Sequence, residues 1–394
     1  MEYYVYLSII FFSLILFFLY IYIVYKKILE AYKNKQIEKY SKKLVPYINT
    51  IVDEIINGKD IAFSTLKNLK VICKNKAKRE IVEELLLYYF DNYKGEFLPK
   101  LIYLSQYVKI TQYEMKNLKN KNNFIKALAA KRLGEFRSKN SVDILLDQLN
   151  ITNIDVKYNI LLALAKIGEE NSFIKAFENV DSTLILSERS LIEIVDSFEG
   201  DKNKIYKCMI NSDNSFIACV FIKSAGNYKD ISLSHDISKY LFSENKELRI
   251  ACVKAIGNIG DATYLDDIIR LLQDNEWEVR AVTANSLGNF SDNKILLPLA
   301  KALSDHQWYV RYNAARSILY HREGIKVISY VFHEDDKFAK DIIIAAIENL
   351  SNNNLYLYET SNDPDKVELA LQIKQYNMEK NKEVGIWMLN LSKK

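Results

Sequence analysis

Proline and glycine are scarce in this chain, which has 4 prolines and 11 glycines among 394 residues. An all-β fold needs a turn every ten residues or so, and so few turn formers exclude it. Only 4 histidines are present, and there is no HExxH pair, glycine-rich phosphate loop, GxSxG elbow or paired-carboxylate signature. Gly257 and Gly260 are read as ending a helix, since no strand precedes them. Four cysteines (Cys73, Cys208, Cys219, Cys252) show no CxxC spacing. They read as reduced thiols, two of them on apolar helix faces where cysteine behaves as a small hydrophobe. His333-Glu334-Asp335-Asp336 gathers metal-ligating types, but adjacent loop residues seldom converge on one ion. It is read as a loop that caps the next helix. The expectation is a non-catalytic protein without cofactor or metal.

Hydrophobic residues make up 49% of the chain, which excludes wholesale disorder. Residues 4–25 contain no charge, and fifteen of these 22 positions are Ile, Leu, Phe or Val. A helix of roughly 20 such residues spans the hydrocarbon core of a bilayer. At about −0.4 kcal/mol each, the fifteen contribute roughly −6 kcal/mol to insertion. Tyr3, Tyr4 and Tyr6 flank one end and Tyr20, Tyr22 and Tyr25 the other, as interfacial aromatic belts do. A basic leader, a short apolar core and a small-residue cleavage site are missing, so the stretch reads as a membrane anchor rather than a signal peptide. Residues 26–43 then carry seven lysines against Glu30 and Glu38. The positive-inside rule therefore places the N-terminus outside and everything beyond residue 25 in the cytoplasm. Taking that run and Glu2 from the whole-chain +4 leaves residues 44–394 near zero. A near-neutral body lacks the footprint of a general nucleic-acid binder, and no nucleic acid is expected.

Residues 26–121 read as a basic juxtamembrane segment and helical adaptor. Ile37, Leu44, Ile48, Ile51, Val52, Ile55 and Ile56 mark one amphipathic helix, with Pro46 as a kink or break. Further helices are expected over 60–73, 77–92 and about 97–107, the second burying Ile81, Val82, Leu85, Leu86 and Tyr89. This adaptor is expected to cap the first unit of a periodic array that begins near residue 122.

In that array NKELRIACVKAIGNIG (245–260), NEWEVRAVTANSLGNF (275–290) and HQWYVRYNAARSIL (306–319) repeat with Leu248, Val279 and Val310 at intervals of 31 residues. Such a period signals stacked supersecondary units. Weaker copies begin at Asn123 and end near Leu350. Between them lie first helices such as TYLDDIIRLLQ (263–273) and ILLPLAKALS (295–304). Asp363-Pro364 opens a terminal helix by cap and first-turn chemistry. Val367, Leu369, Ala370 and Ile373 form its buried stripe, and Trp387, Met388 and Leu391 are expected to seal the last turn. The divisions expected are thus an anchor (1–25), adaptor (26–121), repeat array (122–350) and helical cap (351–394).

These copies resemble HEAT repeats, especially the short HEAT-like type first described in phycobilin lyases. The likeness rests on an acidic residue ending the first helix, a Val-Arg pair opening the second, then Ala-Ala and Ala/Ser-Leu. It covers roughly 122–350 and is strongest over 245–319. It implies an all-α fold: a right-handed α-solenoid preceded by a single transmembrane helix. It also implies an Asp–Arg ladder between neighbouring repeats, from Asp274 and Asp305, each six residues before Arg280 and Arg311. Ser243 replaces the aspartate before Arg249, so an interruption is expected there. The layout as a whole resembles bacterial single-pass membrane proteins with a cytoplasmic HEAT-like array.

Three sets of residues compete for function. Lys126, Lys157, Arg249, Arg280, Arg311 and Lys340, one position after each anchor, are read as that ladder rather than as a cationic stripe. Lys131, Lys254, Asn285 and Arg316, six positions after the anchor, should face away from the helix-pair interior. The resemblance puts second helices on the concave face, which makes this column, with Tyr312 and Asn313, the candidate partner surface. A solvated face without a partner is the plainer reading. Trp277 and Trp308, 31 residues apart, either anchor a partner or close the gap between turns. The function expected is a membrane-tethered scaffold for a protein partner, of the kind of a membrane enzyme or transporter. A lyase-type enzyme and a lipid-binding adaptor are the alternatives.

Overall fold

The computed structural model describes residues 2–93, 95–150, 153–178, 186–349 and 354–391, with side chains of the last helix as far as Lys382. Among the described residues every regular element is helical. The chain forms two compact units: residues 1–176 with 197–200, and residues 177–196 with 201–394.

The first unit begins with α1 (Glu2–Ile56), a single helix that runs through the apolar stretch and on into the adaptor. Pro46 sits inside it without ending it, so of the kink or break expected from sequence there is no break. Proline costs a helix roughly 3 kcal/mol by removing one amide donor. Here Pro46 faces solvent, while Leu44, Ile48, Ile51, Val52 and Ile55 on the other side are buried. Packing of that face holds the helix together. Around it lie α2 (Phe63–Ile72), α3 (Lys76–Asn92), α4 (Leu98–Tyr107) and α5 (Ile110–Asn117). Ile81, Val82, Leu86 and Tyr89 of α3 are buried in one core with the α1 residues, and Leu85 packs against it.

α6 (Asn123–Glu135), α7 (Val142–Asp147), α8 (Ile154–Ile167) and α9 (Glu170–Glu178) come next. The adaptor docks on α6 through Phe90 and Phe136, whose rings meet edge to face at 5.4 Å. Beside them Arg132 Nη1 donates to Glu83 Oε2 at 3.2 Å and to Glu114 Oε1 at 3.3 Å. Both carboxylates are buried, and Glu83 Oε1 has no hydrogen-bond partner. Burial, with Glu114 close by, pushes the Glu83 carboxyl up to about 8 against the pull of Arg132.

The second unit holds α10 (Glu188–Asp196), α11 (Lys202–Met209), α12 (Ser215–Tyr228), α13 (Ser234–Ser238), α14 (Lys246–Ile259), α15 (Leu265–Arg270), α16 (Trp277–Leu287), α17 (Leu296–Ala302), α18 (Trp308–Tyr320), α19 (Gly324–His333), α20 (Lys337–Asn349), α21 (Asn354–Glu359) and α22 (Pro364–Leu391). α12, α14, α16, α18 and α20 pack side by side in one row, with α13, α15, α17 and α19 behind them. Local chemistry starts each element at the 31-residue interval. Asn214 and Asn245 cap α12 and α14, while Asp230, Asp261 and Asp292 cap the short turns that lead into α13, α15 and α17. Gly260 ends α14 at φ +79°, a left-handed position that suits glycine.

Gly257, read from sequence as a helix end, instead lies inside α14. A Cβ there would stand 2.7 Å from Ser286 Cβ, so only glycine lets α14 and α16 approach this closely. Gly226 meets Ala255 and Gly288 meets Ser317 in the same way. At the far end, Asp363 caps α22, and Leu369, Ala370 and Ile373 are buried. Trp387, Met388 and Leu391 lie outside the described side chains.

Candidate functional site

In the cationic column next to the anchors, Arg249 and Arg280 form the ladder, while Lys126 reaches Gln148 Oε1 at 3.4 Å and Lys340 lies over the Tyr376 ring. Arg249 donates to both oxygens of Asp274 at 2.8 and 2.9 Å, and Arg280 does the same to Asp305 at 2.7 and 3.1 Å. Each pair joins successive repeats, 25 residues apart. Each arginine also reaches the carbonyl six residues behind it, Ser243 O at 2.7 Å and Asp274 O at 2.8 Å. The aspartates in turn accept the N–H groups of Glu276 and Gln307. Burial pushes the Asp305 carboxyl up, but the bonds from Arg280 and the Gln307 N–H outweigh it and hold the group below its usual range.

The interruption expected at Ser243 takes a particular form. The position 25 residues before Ser243 is Ala218, which is buried. Cation and anion are both missing from that rung, and no charge is stranded. One step downstream, Arg311 bonds the carbonyls of Asp305 and His306, and its Nε has no partner. The corresponding Asp336 accepts instead from Ser304 Oγ at 2.5 Å and caps α20 through the Ala339 N–H at 3.0 Å. That is the capping role read for the His333–Asp336 loop.

With the ladder set aside, the outward face of α16 and α18 carries a connected set of aromatic rings. Trp277 stacks on Tyr309 with centroids 5.7 Å apart, and Tyr309 meets Trp308 edge to face at 5.2 Å. Trp308 in turn stacks on Tyr312 at 4.8 Å with the planes only 9° apart. The Arg316 guanidinium lies 5.9 Å from the ring centres of both Tyr312 and Tyr320. Packing of this kind keeps each ring in a defined orientation; it leaves Trp277 and Tyr312 half-buried and the other rings uncovered. Trp308 is 47% exposed, Tyr309 58% and Tyr320 64%. A lone surface ring is normal, but a contiguous exposed patch of large aromatic residues marks a contact site.

Of the residues singled out from sequence, Trp277, Trp308, Tyr312 and Arg316 come together here. Lys254 and Asn285 are exposed on α14 and α16, in register with Arg316 on α18. Lys131 belongs to α6 of the first unit, where its ammonium lies 3.7 Å from Glu135. Asn313 is half-buried, and its amide donates to Ala281 O at 2.9 Å across the repeat boundary. Trp277 and Trp308 do not touch directly; Tyr309 stands between them. Tyr309 and Tyr320 escaped the sequence reading because neither repeats at 31 residues. A helical projection finds them: Trp308, Tyr309, Tyr312, Arg316 and Tyr320 fall within roughly a third of the circumference of α18. Near Trp277 the charges are paired, with Lys246 donating to Glu278 at 2.9 Å and holding that carboxyl below its usual range.

A groove of about 680 Å³ opens on the other side, between α17 and α19, lined by Leu297, Ala300, Val327, Tyr330 and Val331. On its polar rim Asp336 is bonded to Ser304 and Lys326 is paired with Glu323.

Among solved structures the chain is similar to an engineered protein (16% identity over 79% of this chain and 98% of that one, TM-score 0.35). It is also similar to the complex of CpcE and CpcF of phycocyanin lyase from Nostoc sp. PCC7120 (15% identity, 67% and 94% covered, TM-score 0.28). A third is Kap121p (15% identity, 85% of this chain, TM-score 0.43), of whose length the chain spans 40%. No curated protein matches the chain. Residues 236–319, which carry every ring of the α16–α18 face except Tyr320, match the family model of HEAT repeats.

Proposed function

We propose that this protein is a membrane-tethered, non-catalytic scaffold that holds a protein partner on the outward face of α14, α16 and α18. The observation that carries this reading is the stack of Trp277, Tyr309, Trp308 and Tyr312, in which Trp308 and Tyr309 are exposed and Trp277 and Tyr312 half-buried, with Arg316 over its edge. Aromatic rings and arginine are the residue types that dominate binding energy at protein interfaces. Rings already fixed by their neighbours lose little freedom when a partner covers them. Lys254 and Asn285 extend the face along the row of second helices. α1 supplies the tether: its apolar window has a mean hydropathy of 2.7 and is wholly uncovered by the rest of the protein. The positive-inside rule places the repeats in the cytoplasm. A partner that itself resides in the same bilayer gains from such tethering, through an effective concentration in the mM range for short linkers.

The test is a tagged pull-down from membranes in mild detergent with three forms: wild type, Trp308→Ala/Arg316→Glu, and Tyr330→Ala in the α17–α19 groove. A protein retained by wild type and Tyr330→Ala but lost from the folded double variant supports this face. Identical sets of proteins with all three forms refute it.

A further inference from the structure

We propose that the corner between α2 and α3, presenting Lys74 and Lys76, binds the anionic lipid headgroups of the membrane that α1 enters. The proposal rests on the membrane reading of α1 and adds a second, fold-built contact to it. Three observations carry it.

The first is length. Every side chain from Tyr3 to Lys35 is exposed, Gln36 is the first to be partly covered, and Leu44 is the first to be buried. At 1.5 Å per residue the uncovered stretch is about 48 Å long. A bilayer with its headgroup layers is about 40–45 Å thick. Counted from Tyr3 at the outer edge of the hydrocarbon core, about 30 Å of this stretch crosses the core and about 5–7 Å the inner headgroup layer, so the body of the first unit begins roughly 10 Å beyond the headgroups. Ile28, Leu29 and Tyr32 are exposed beyond Lys26 and Lys27.

The second is register. α3 runs alongside α1, with Lys33 3.8 Å from Glu80, Lys78 over the Tyr40 ring at 5.0 Å, and Tyr89 bonded to Asn49 at 2.9 Å. The start of α3 is thus the membrane-facing end of the unit, level with residues 33–40. Lys74 and Lys76 stand there, exposed.

The third is charge. Over 74–79 the sequence KNKAKR carries four cations and no acid. Of the acids on α1 and α3 near this level, Glu80 faces Lys33, Glu38 is paired with Lys42 at 2.8 Å, and Glu30 is exposed one turn closer to the apolar stretch. Arg79 is turned inward, over the Tyr113 ring and onto Cys73 O, and Lys78 lies over the Tyr40 ring, which leaves Lys74 and Lys76 as the outward groups. Long lysine side chains from this corner reach the surface within one Debye length, about 8 Å at physiological ionic strength. Each lysine so placed strengthens attachment to an anionic leaflet roughly fivefold.

The test uses the full chain reconstituted in vesicles of phosphatidylcholine alone and in vesicles containing phosphatidylserine. Trypsin cleavage after Lys74 and Lys76 is timed, with cleavage after the exposed Lys229 as the internal control. The expected result is at least fivefold slower cutting at the corner on the anionic vesicles, unchanged cutting at Lys229, and loss of the difference in high salt. Equal rates at the corner on both surfaces, in a chain that resists alkaline extraction, overturn the proposal and leave the anchor standing. If alkaline carbonate strips the chain from both kinds of vesicle, the membrane reading has failed and takes this contact with it.

Discussion

Arginine meets carboxylates in both units, and the two arrangements respond to protons in opposite ways. In the second unit each of Arg249 and Arg280 faces one aspartate with two parallel hydrogen bonds, and backbone N–H groups serve the same carboxylate. In the first unit a single nitrogen of Arg132 serves Glu83 and Glu114 together, in a deeper site. One cation cannot neutralise two buried carboxylates, so the first unit retains a proton where the second sheds one. The number of acids per arginine and their depth decide the outcome, since the residue types are nearly the same.

The largest effect on this contrast is expected from Arg132→Leu. At pH 8 it leaves two carboxylates buried without a cation, at a cost of about 3–5 kcal/mol. Hydrogen exchange of α3 and α6 amides would report it, with smaller loss at pH 5, where Glu83 is protonated. Undiminished protection at pH 8 would show the network to be idle.

The pH response itself comes next. Glu83 is raised from 4.5 to about 8, so its favourable contribution is present below pH 4.5 and lost as pH rises toward 8. Asp305 is lowered from 3.8, so its contribution is present above that value and lost as pH falls through the depressed one. Corrected exchange protection in α3 should therefore fall between pH 5 and 8, while protection in α16 and α18 stays level until pH drops below about 4. Glu83→Gln should flatten the α3 profile. A level α3 profile in the unaltered protein would remove the contrast.

The smallest effect tests the missing rung. Ser243→Asp restores the repeat's aspartate but finds Ala218 opposite it, so thermal stability should change by no more than about 0.5 kcal/mol. Arg280→Lys, which gives up a two-pronged bond, should cost about 1 kcal/mol. A larger gain from Ser243→Asp would mean that another cation reaches the site.

Much of this was legible in the residues. The 31-residue spacing of Leu248, Val279 and Val310 marked the stacked helices, and all three are buried. The adaptor helices fell within a few residues of their expected bounds. Pro46 misled because the rule for proline is local, while the opposite face of α1 is held by a core drawn from several helices. Gly257 misled because a helix-ending glycine and one that admits a neighbouring helix look alike until the neighbour is in place. The aromatic face was half visible: Trp277, Trp308, Tyr312 and Arg316 were marked, Tyr309 and Tyr320 were not.

By itself the sequence determined everything that depends on residues close together in the chain: the apolar 22-residue run, the 31-residue period, the Asn and Asp caps, and the all-helical class. Tertiary structure alone decided which groups meet across turns: Arg280 with Asp305, Trp277 with Tyr309, Arg132 with Glu83 49 residues away. The reason is geometric. A period of 3.6 residues tells which way a side chain points from its own helix. What it finds there depends on how adjacent helices are rotated and how closely they approach, and glycines such as Gly226, Gly257 and Gly288 set that approach one pair at a time.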